Sequence, residues 1–325
     1  MATITAMQAG SGSGLRPTDL RRDMAGIAAL MEACFGATMD AAGRGALNEM
    51  RLLSHAGPFL WLLGGPLRGP VCNLGFVWIE AGKVVGNIST QRSGAGARQW
   101  MIANVAVHPD HRRRGIARAL TIAAVDLARR QGGETALLQV NHDNVGALEL
   151  YAGLGFQRFG ARTEWVRHSG TPPPYAPTPG LDIRPRRREQ WVDEYRLATG
   201  VCPEGLDWVR PLRPDDFRPS VARSLARLAS GKGEERWTAM AGNRLVGSLI
   251  MVASPGESDH FTLLLDPEFR EQAARPLLVR GLRRLGSRPW PVRLDHSPHD
   301  QVDTLQSLGF AAGRTLVWMR RRLHP

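Results

Sequence analysis

Hydrophobic positions recur along this chain with two spacings, every second residue in some segments and every third or fourth in others. Segments 74–80 and 83–91 alternate in polarity and meet at Ala81 and Gly82, which predicts a β-hairpin. Segment 116–131 gathers its apolar residues on one helical face, which predicts an amphipathic helix. The same criteria predict further strands at 14–17, 100–107, 135–140 and 164–167, and further helices at 24–34, 45–54 and 144–154.

The second half of the chain repeats this order of elements. The criteria predict strands at 181–185, 237–240, 244–253, 260–265, 292–295 and 316–320, and helices at 190–199, 219–229, 274–285 and 301–308. Val246-Gly247 repeats Val85-Gly86 in the hairpin, and Leu308-Gly309-Phe310 repeats Leu154-Gly155-Phe156. The matching order indicates an internal duplication with a period of about half the chain.

A stretch dense in Pro, Gly and Thr separates the halves, at residues 168–180. Proline fixes φ and removes a backbone donor, so we expect an extended, irregular linker there. Residues 1–13 lack hydrophobic periodicity and are expected to be a disordered lead-in. The sequence therefore predicts one domain over 14–167 and a second over 181–325.

Composition is consistent with a two-domain cytoplasmic protein. The 325 residues are 43% hydrophobic, which is enough for two cores. The three cysteines are widely spaced and fit neither a disulfide framework nor a metal site, so we expect reduced thiols and no metal. No apolar run approaches the roughly 20 residues of a membrane span, and the N-terminus does not resemble a signal peptide.

The formal net charge of +12 comes almost entirely from arginine, because Lys83 and Lys232 are the only lysines. A basic surface can attract nucleic acid, a membrane or an anionic cofactor. No basic helix carries interleaved aromatic residues and no nucleic-acid motif is present, so we expect no nucleic-acid partner.

The segment from Arg112 to Arg118 has the chemistry of a pyrophosphate site. It opens the helix predicted from Ile116, and the first N–H groups of a helix lack intrahelical partners and carry the positive end of its dipole. A phosphate placed there satisfies both. Gly115 allows close approach of the backbone, and the arginines add charge.

These residues resemble the GNAT acyltransferase superfamily, whose signature Arg/Gln-x-x-Gly-x-Gly/Ala is met by Arg112 to Ala117. The preceding ANVAVHP segment, 103–109, and the later Asn144, Ala147, Tyr151, Gly155 and Phe156 are also typical of that family. The resemblance implies an α/β fold: two tandem GNAT-like domains, each a mostly antiparallel twisted sheet flanked by helices. In the first, the sheet would splay open between the strands ending at Val107 and Val140.

The resemblance also implies acetyl-coenzyme A as the donor. Its pantetheine arm would pair with the backbone of Val105 to Val107 and with Asn144, and its pyrophosphate would bind the amides of 113–118. The Val105 N–H would stabilise the oxyanion, and Tyr151 would protonate the leaving thiolate. The residues assigned to coenzyme A in this way are Val105, Ala106, Val107, Arg112, Arg113, Arg114, Gly115, Ile116, Ala117, Arg118, Asn144, Ala147 and Tyr151.

The general base stays open. Related ribosomal-protein alanine acetyltransferases carry a Glu where this chain has Gln139, which cannot take a proton. Asn104 stands at another position that is often acidic in the family. Glu80, at the end of a predicted strand, is a candidate, although a solvated surface carboxylate is the more frequent outcome.

The second half lacks the key residues. Aligning Pro109 with Pro267 places Ala273 over Gly115 and Arg275 over Ala117, and Pro276, which has no N–H, follows. Aligning the two Gly-Phe endings places Leu305 over Tyr151 and Pro298 over Asn144. We therefore expect a degenerate, structural second domain. Mycothiol synthases share the tandem layout but keep the intact site in the C-terminal unit.

The sequence thus predicts an acetyl-CoA-dependent N-acetyltransferase that acts on a primary amine of a small molecule or peptide, as a monomer with a pseudo-dimeric layout or as a homodimer. One alternative is a transferase for a longer acyl chain or an O-acceptor, with apolar residues 59–63 lining a pocket, although a buried strand is the more common outcome for such a run. Another alternative is a non-catalytic acyl-CoA sensor or interaction protein.

Overall fold

The computed structural model describes residues 13–36, 48, 74–92, 98–202, 212–222, 225, 229–231, 233–254, 256, 258–285 and 288–323. Contacts divide the chain into two compact units. The first comprises residues 1–140, 144–159 and 318–325, and the second comprises 141–143 and 160–317. The strand that ends the first half and the strand that ends the chain are therefore each divided between the units.

The elements of the first unit are β1 (Gly14–Pro17), α1 (Leu20–Phe35), β2 (Leu74–Glu80), β3 (Lys83–Arg92), β4 (Gln99–Val107), α2 (Ile116–Arg130), β5 (Thr135–Asn141) and α3 (Val145–Ala152), followed by the start of β6 (Gln157–Arg167). Its strands lie in the order β1-β2-β3-β4-β5. All neighbours in this order are antiparallel except β4 and β5.

The parallel pair β4 and β5 is joined only at its beginning. Its register runs from Gln99 opposite Thr135 to Ile102 opposite Leu138 and then ends, although β4 continues to Val107. Both strands are fully described, so the opening between them is a property of the fold. The predicted splay is present in the first unit.

Helix α2 packs on the sheet through a glycine of β3. A Cβ at Gly86 would lie 2.9 Å from Ile116 Cγ2 and 3.0 Å from Leu120 Cδ1. Ile116 and Leu120 are buried, as the predicted apolar face requires. The contact fixes the start of α2 beside the end of β4, because Ile116 is the first helical residue.

The second unit repeats this arrangement. Its elements are β7 (Asp182–Pro185), α4 (Trp191–Val201), α5 (Pro214–Phe217), β8 (Gly233–Ala241), β9 (Arg244–Ala253), β10 (Asp259–Leu265), α6 (Arg270–Leu285), β11 (Val292–His296), α7 (Val302–Ser307) and the first part of β12 (Ala311–Arg322). Parallel pairing of β10 and β11 also ends early, at Phe261 opposite Leu294. Gly247 lies against Leu277 of α6, as Gly86 lies against α2.

Several element boundaries differ from the sequence prediction. Helix α1 begins four residues early because the Asp19 side chain accepts the Arg21 N–H and caps it. Helix α6 also begins four residues early, at Arg270, with the Ala273 N–H bonded to the Phe269 carbonyl. Strand β6 begins at Gln157 rather than 164. Residues 168–180 contain no helix or strand.

Other predicted segments lie outside the described residues. These are the lead-in before Ser13, the helix at 45–54 apart from Asn48, the apolar residues 59–63, and residues 223–224 and 226–228 of the helix at 219–229. Of the helices that the structure describes, none combines the length and the apolar character needed to cross a membrane.

Candidate active site

The arginine turn, residues 112–118, links β4 to α2 through two left-handed residues. A short 3₁₀ segment, Pro109–His111, follows β4. Arg113 then has φ 63° and Gly115, the N-cap of α2, has φ 78°. Glycine adopts this conformation readily, whereas arginine rarely does. No atom outside its immediate neighbours lies within 4 Å of the position that a Cβ at Gly115 would take.

This geometry leaves a run of backbone donors free. Within the described part of the chain, no backbone or side-chain group accepts a hydrogen bond from the N–H groups of residues 113–118. The first backbone bond of α2 is donated by the Ala119 N–H to the Gly115 carbonyl, at 3.0 Å. Six successive free donors at the positive end of a helix favour an anion.

The arginines of the turn divide into two pairs. Arg112 donates from Nε to the Val107 carbonyl at 3.2 Å, and Arg114 lies 3.4 Å from Glu80 Oε2. Arg113 and Arg118 are exposed, and neither forms a hydrogen bond or an ion pair with the described residues. One pair therefore shapes the turn, and the other leaves two guanidinium groups available to an anionic ligand.

Glu80 belongs to this turn. Its carboxylate accepts from Trp78 Nε1 at 3.2 Å and lies 3.3 Å from His111 Nε2, in addition to its contact with Arg114. With three donors around it, the carboxylate is used to hold the turn. We therefore do not assign the general base to Glu80.

Strand β4 carries a bulge where the thioester is expected. Asn87 lies opposite Ala106 and Ser89 lies opposite Ala103, so one residue of β3 faces two residues of β4. Asn104, in the bulge, has φ 53°. Its carbonyl accepts from Asn87 Nδ2 at 3.0 Å. Because the C=O and N–H of a trans peptide point in opposite directions, the Val105 N–H is directed away from β3, to the side where β4 and β5 have separated.

Asn144 and Ala147 are joined at the start of α3. Asn144 is the N-cap, and its Oδ1 accepts the Ala147 N–H at 3.1 Å. Asn144 is exposed, and its Nδ2 has no hydrogen-bond partner among the described residues. One side of the amide therefore caps the helix while the other remains able to donate to a ligand.

Tyr151 is buried on α3, with 5% of its surface exposed. Its ring packs edge-on against Phe156, with the centroids 6.0 Å apart. Burial raises the pKa of the phenol to about 12. The hydroxyl forms no hydrogen bond within the described residues. Tyr151 thus keeps its proton at neutral pH, which a general acid requires.

All thirteen residues assigned from the resemblance lie in the first unit. They occupy the end of β4, the arginine turn with the start of α2, and α3 with its cap. Gln139 is exposed on β5, and Asn104 is the bulge residue. Sequence reasoning missed Asn87, which is 4% exposed and touches the bulge. A polar residue at a buried strand position was the available signal.

Comparison with known proteins agrees with this geometry. The profile of the Acetyltransferase (GNAT) family matches residues 53–156, which include the end of β4, the arginine turn and α3. Residues 53–156 are thus similar to the GNAT family, and the match covers the part of the chain that carries the candidate site. The matched segment ends at Phe156, the aromatic residue that packs on Tyr151.

Individual relatives match shorter segments. N-acetyltransferase 8B of Rattus norvegicus is 31% identical over an alignment of 126 residues that covers 32% of this chain and 57% of that protein. N-alpha-acetyltransferase RimI of Mycobacterium tuberculosis is 37% identical over 92 residues, which are 28% of this chain and 56% of that protein. The chain therefore spans a little over half the length of these two relatives.

Solved structures match nearly the whole chain. A tandem GNAT protein from the clavulanic acid biosynthesis pathway has a TM-score of 0.59 at 19% identity, over 96% of this chain and 98% of that one. A GCN5-related N-acetyltransferase from Sphaerobacter thermophilus has a TM-score of 0.62 at 16% identity, over 96% of both chains. At these identities the likeness shows the fold, and it confirms the predicted tandem GNAT-like α/β class.

Proposed function

We propose that this protein is an acetyl-CoA-dependent N-acetyltransferase whose catalytic site lies in its first unit. The observation that carries the proposal is the run of free N–H groups at residues 113–118, which directly follows the splayed strand β4. Such a turn suits a pyrophosphate, and an open strand edge suits the amides of a pantetheine arm. Coenzyme A contains both groups in one molecule.

The remaining residues fit direct attack on a thioester. A primary amine adds to the acetyl carbonyl, and the Val105 N–H, directed into the opening, donates to the developing oxyanion. When the C–S bond breaks, Tyr151 supplies a proton to the departing thiolate. The acceptor loses its own proton to a group that the described residues do not identify, and a chain of ordered water would serve.

An amine acceptor is favoured by the relatives. N-acetyltransferase 8B and N-alpha-acetyltransferase RimI are both named for acetyl transfer to nitrogen. We extend this to a small-molecule or peptide amine for the present chain. A cytoplasmic location and a monomeric or homodimeric state remain predictions from sequence.

The test is thiol release from acetyl-CoA in the presence of a panel of amines: peptides with free α-amino groups, amino sugars and alkyl amines. We expect at least one class to stimulate release by the wild type. The Tyr151→Phe variant should bind acetyl-CoA equally well but turn over about 10²–10⁴-fold more slowly, the usual contribution of a general acid. Parallel assays with longer acyl donors and with alcohols test the alternative hypotheses of a longer acyl chain and an O-acceptor.

Each alternative gives a different result. Binding of acetyl-CoA without release by any acceptor would favour the sensor. Faster release from a longer acyl donor would change the donor assignment. If isothermal titration detects no binding of coenzyme A, the proposal is wrong.

A further inference from the structure

We infer that Asn87 and Ser89 of β3 are positioning residues that hold the β4 bulge and aim the Val105 N–H at the thioester carbonyl. The inference rests on the proposed function. It assigns roles to two residues that lie outside the arginine turn and outside α3.

Three hydrogen bonds link Asn87, Ser89, Ala103 and Asn104, which we call the bulge network. Asn87 Nδ2 donates to the Asn104 carbonyl at 3.0 Å. Asn104 Nδ2 donates to Ser89 Oγ at 2.9 Å, and Ser89 Oγ donates to the Ala103 carbonyl at 3.1 Å. Backbone and side chain of Asn104 are thus both held by β3.

Asn104 needs this support because its φ of 53° is unfavourable for most residues. Asparagine tolerates the left-handed region better than other non-glycine residues, but it does not require it. Without the bond from Asn87, the peptide plane between Asn104 and Val105 would be free to rotate. The hydrogen bond from Asn87 therefore defines the direction of the Val105 N–H.

Asn87 is placed to hold this plane rigidly. Its side chain is almost fully buried, at 4% exposure, so water does not compete for the bond. It alternates along β3 with Gly86 and Ile88, and Gly86 faces α2. Asn87 therefore lies on the opposite face of the sheet from the helix that carries the arginine turn, and changing it leaves that turn untouched.

The test is isotope-edited infrared spectroscopy of acetyl-CoA labelled with ¹³C at the thioester carbonyl. In the wild type the carbonyl band should lie below that of free acetyl-CoA, because Val105 donates to it. In Asn87→Leu the band should return toward the free value, with the Kd for acetyl-CoA unchanged. With an amine that the wild type accepts, kcat should fall at least about tenfold, toward the 10²–10³-fold loss typical of a missing oxyanion donor.

Two further variants separate positioning from stability. Ile79→Ala removes a buried side chain of β2 that packs with Ile27 and Val77, so it should lower Tm but leave the carbonyl band in place. Should Asn87→Leu fold poorly, Asn104→Gly is added, because glycine takes the bulge conformation without strain. That double variant should regain stability without regaining the band shift.

The outcomes are distinct. If Asn87→Leu, alone or with Asn104→Gly, keeps the wild-type carbonyl band and kcat, the inference about Asn87 is wrong while the proposed function stands. If Ser89→Ala shifts neither the carbonyl band nor Tm, Ser89 does not help to hold the bulge network. If the wild type itself does not bind acetyl-CoA, the proposed function fails and this inference fails with it.

Discussion

The turns that precede α2 and α6 start from the same position in two similar units, yet only the first leaves six successive N–H groups without an acceptor among the described residues. Each follows the first strand of a parallel pair that separates early, and each begins at a proline, Pro109 or Pro267. In the first, Arg113 and Gly115 take left-handed φ. In the second, no residue from 267 to 275 does so, in a segment that the structure describes completely.

The second turn uses its donors internally. The Glu268 N–H bonds to Asp266 Oδ1, the Phe269 N–H to the Asp266 carbonyl, and the Ala273 N–H to the Phe269 carbonyl. Glu271 adds a carboxylate in the first turn of α6, where negative charge meets the positive end of the helix dipole. Among the N–H groups of residues 268–273, only those of Arg270 and Glu271 therefore lack an acceptor in the described part of the chain.

The comparison separates the fold from the site. Sheet order, early separation and the packing glycine are common to both units, so none of them creates an anion site. Two left-handed residues, together with the absence of an acidic residue from positions 113–118, make the difference. The two units also differ in the strand before the turn. Strand β4 carries a bulge at Asn104, whereas β10 pairs with β9 in regular register.

The largest effect is expected from deleting residues 318–325, which group with the first unit. Trp318, Met319 and Leu323 are buried, and truncating a large buried side chain costs about 2–5 kcal/mol. The sum is comparable to the whole stability of a domain, about 5–15 kcal/mol. We expect the deletion variant to lose acetyl-CoA binding and amide protection in β4 and α2.

Hydrogen exchange measured by mass spectrometry reads both units in the same sample. Strands β8 and β9, which belong to the second unit, serve as the internal control and should keep most of their protection. Protected amides in β4 together with normal acetyl-CoA binding would show that the chain end is dispensable for the first unit.

A second test gives the arginine turn the residues of its counterpart, with Arg113→Glu, Gly115→Ala and Ala117→Arg. Glutamate repels phosphate, alanine is strained at φ 78°, and arginine fills space beside the ligand. Two lost charge-assisted bonds, each worth about 1.5–3 kcal/mol, should weaken coenzyme A binding at least about 100-fold. Isothermal titration measures this directly.

The matched control makes the reciprocal change in the second unit, with Glu271→Arg, Ala273→Gly and Arg275→Ala. Because the first unit is unaltered, one coenzyme A per chain should bind with wild-type affinity. A second equivalent bound by this control would show that residue identity alone converts the turn. Unchanged affinity in the first triple variant would remove the pyrophosphate from the arginine turn.

A smaller effect is expected at Asn144, where the second half has proline. Asn144→Ala removes the cap of α3 and should cost about 1 kcal/mol of stability. Asn144→Asp keeps the capping oxygen but loses the Nδ2 donor. If that donor binds the pantetheine arm, both variants should weaken acetyl-CoA roughly 2- to 12-fold, the value of one hydrogen bond of about 0.5–1.5 kcal/mol. Normal affinity in Asn144→Asp would limit Asn144 to capping.

Features that depend on residues close together in the sequence could be predicted from it. Ala81 and Gly82 form the predicted turn with φ 48° and 75°, and the apolar face of 116–131 packs on the sheet. The arginine turn was identifiable because its donors, charge and glycine are consecutive in sequence. Features set by fewer than about ten neighbouring residues were accessible in this way.

Partners distant in sequence were not predictable from periodicity. Asn87 and Asn104 are 17 positions apart, and alternation shows only that each lies in a strand. The grouping of residues 318–325 with the first unit likewise depends on which strand edge is available. The Leu323 N–H bonds to the Glu134 carbonyl at 2.7 Å, and no local pattern indicates that pairing.

Tyr151 and its apolar counterpart Leu305 are both buried. Burial raises the pKa of Tyr151 to about 12, above the value of about 10 expected after unfolding. The folded state therefore retains a proton that the unfolded state loses. Its contribution to stability is complete below pH 10 and disappears as the pH rises through 12, a loss of about 2–3 kcal/mol.

Absorbance at 295 nm can follow this ionisation because the chain has only three tyrosines. The wild type should show its last tyrosinate step near pH 12, and Tyr151→Phe should lack that step while keeping the other two. Circular dichroism recorded at each pH identifies any step that is caused by unfolding. If Tyr151 ionises near pH 10 in the folded protein, its hydroxyl is solvated. Water would then compete with a bound thioester for the hydroxyl proton.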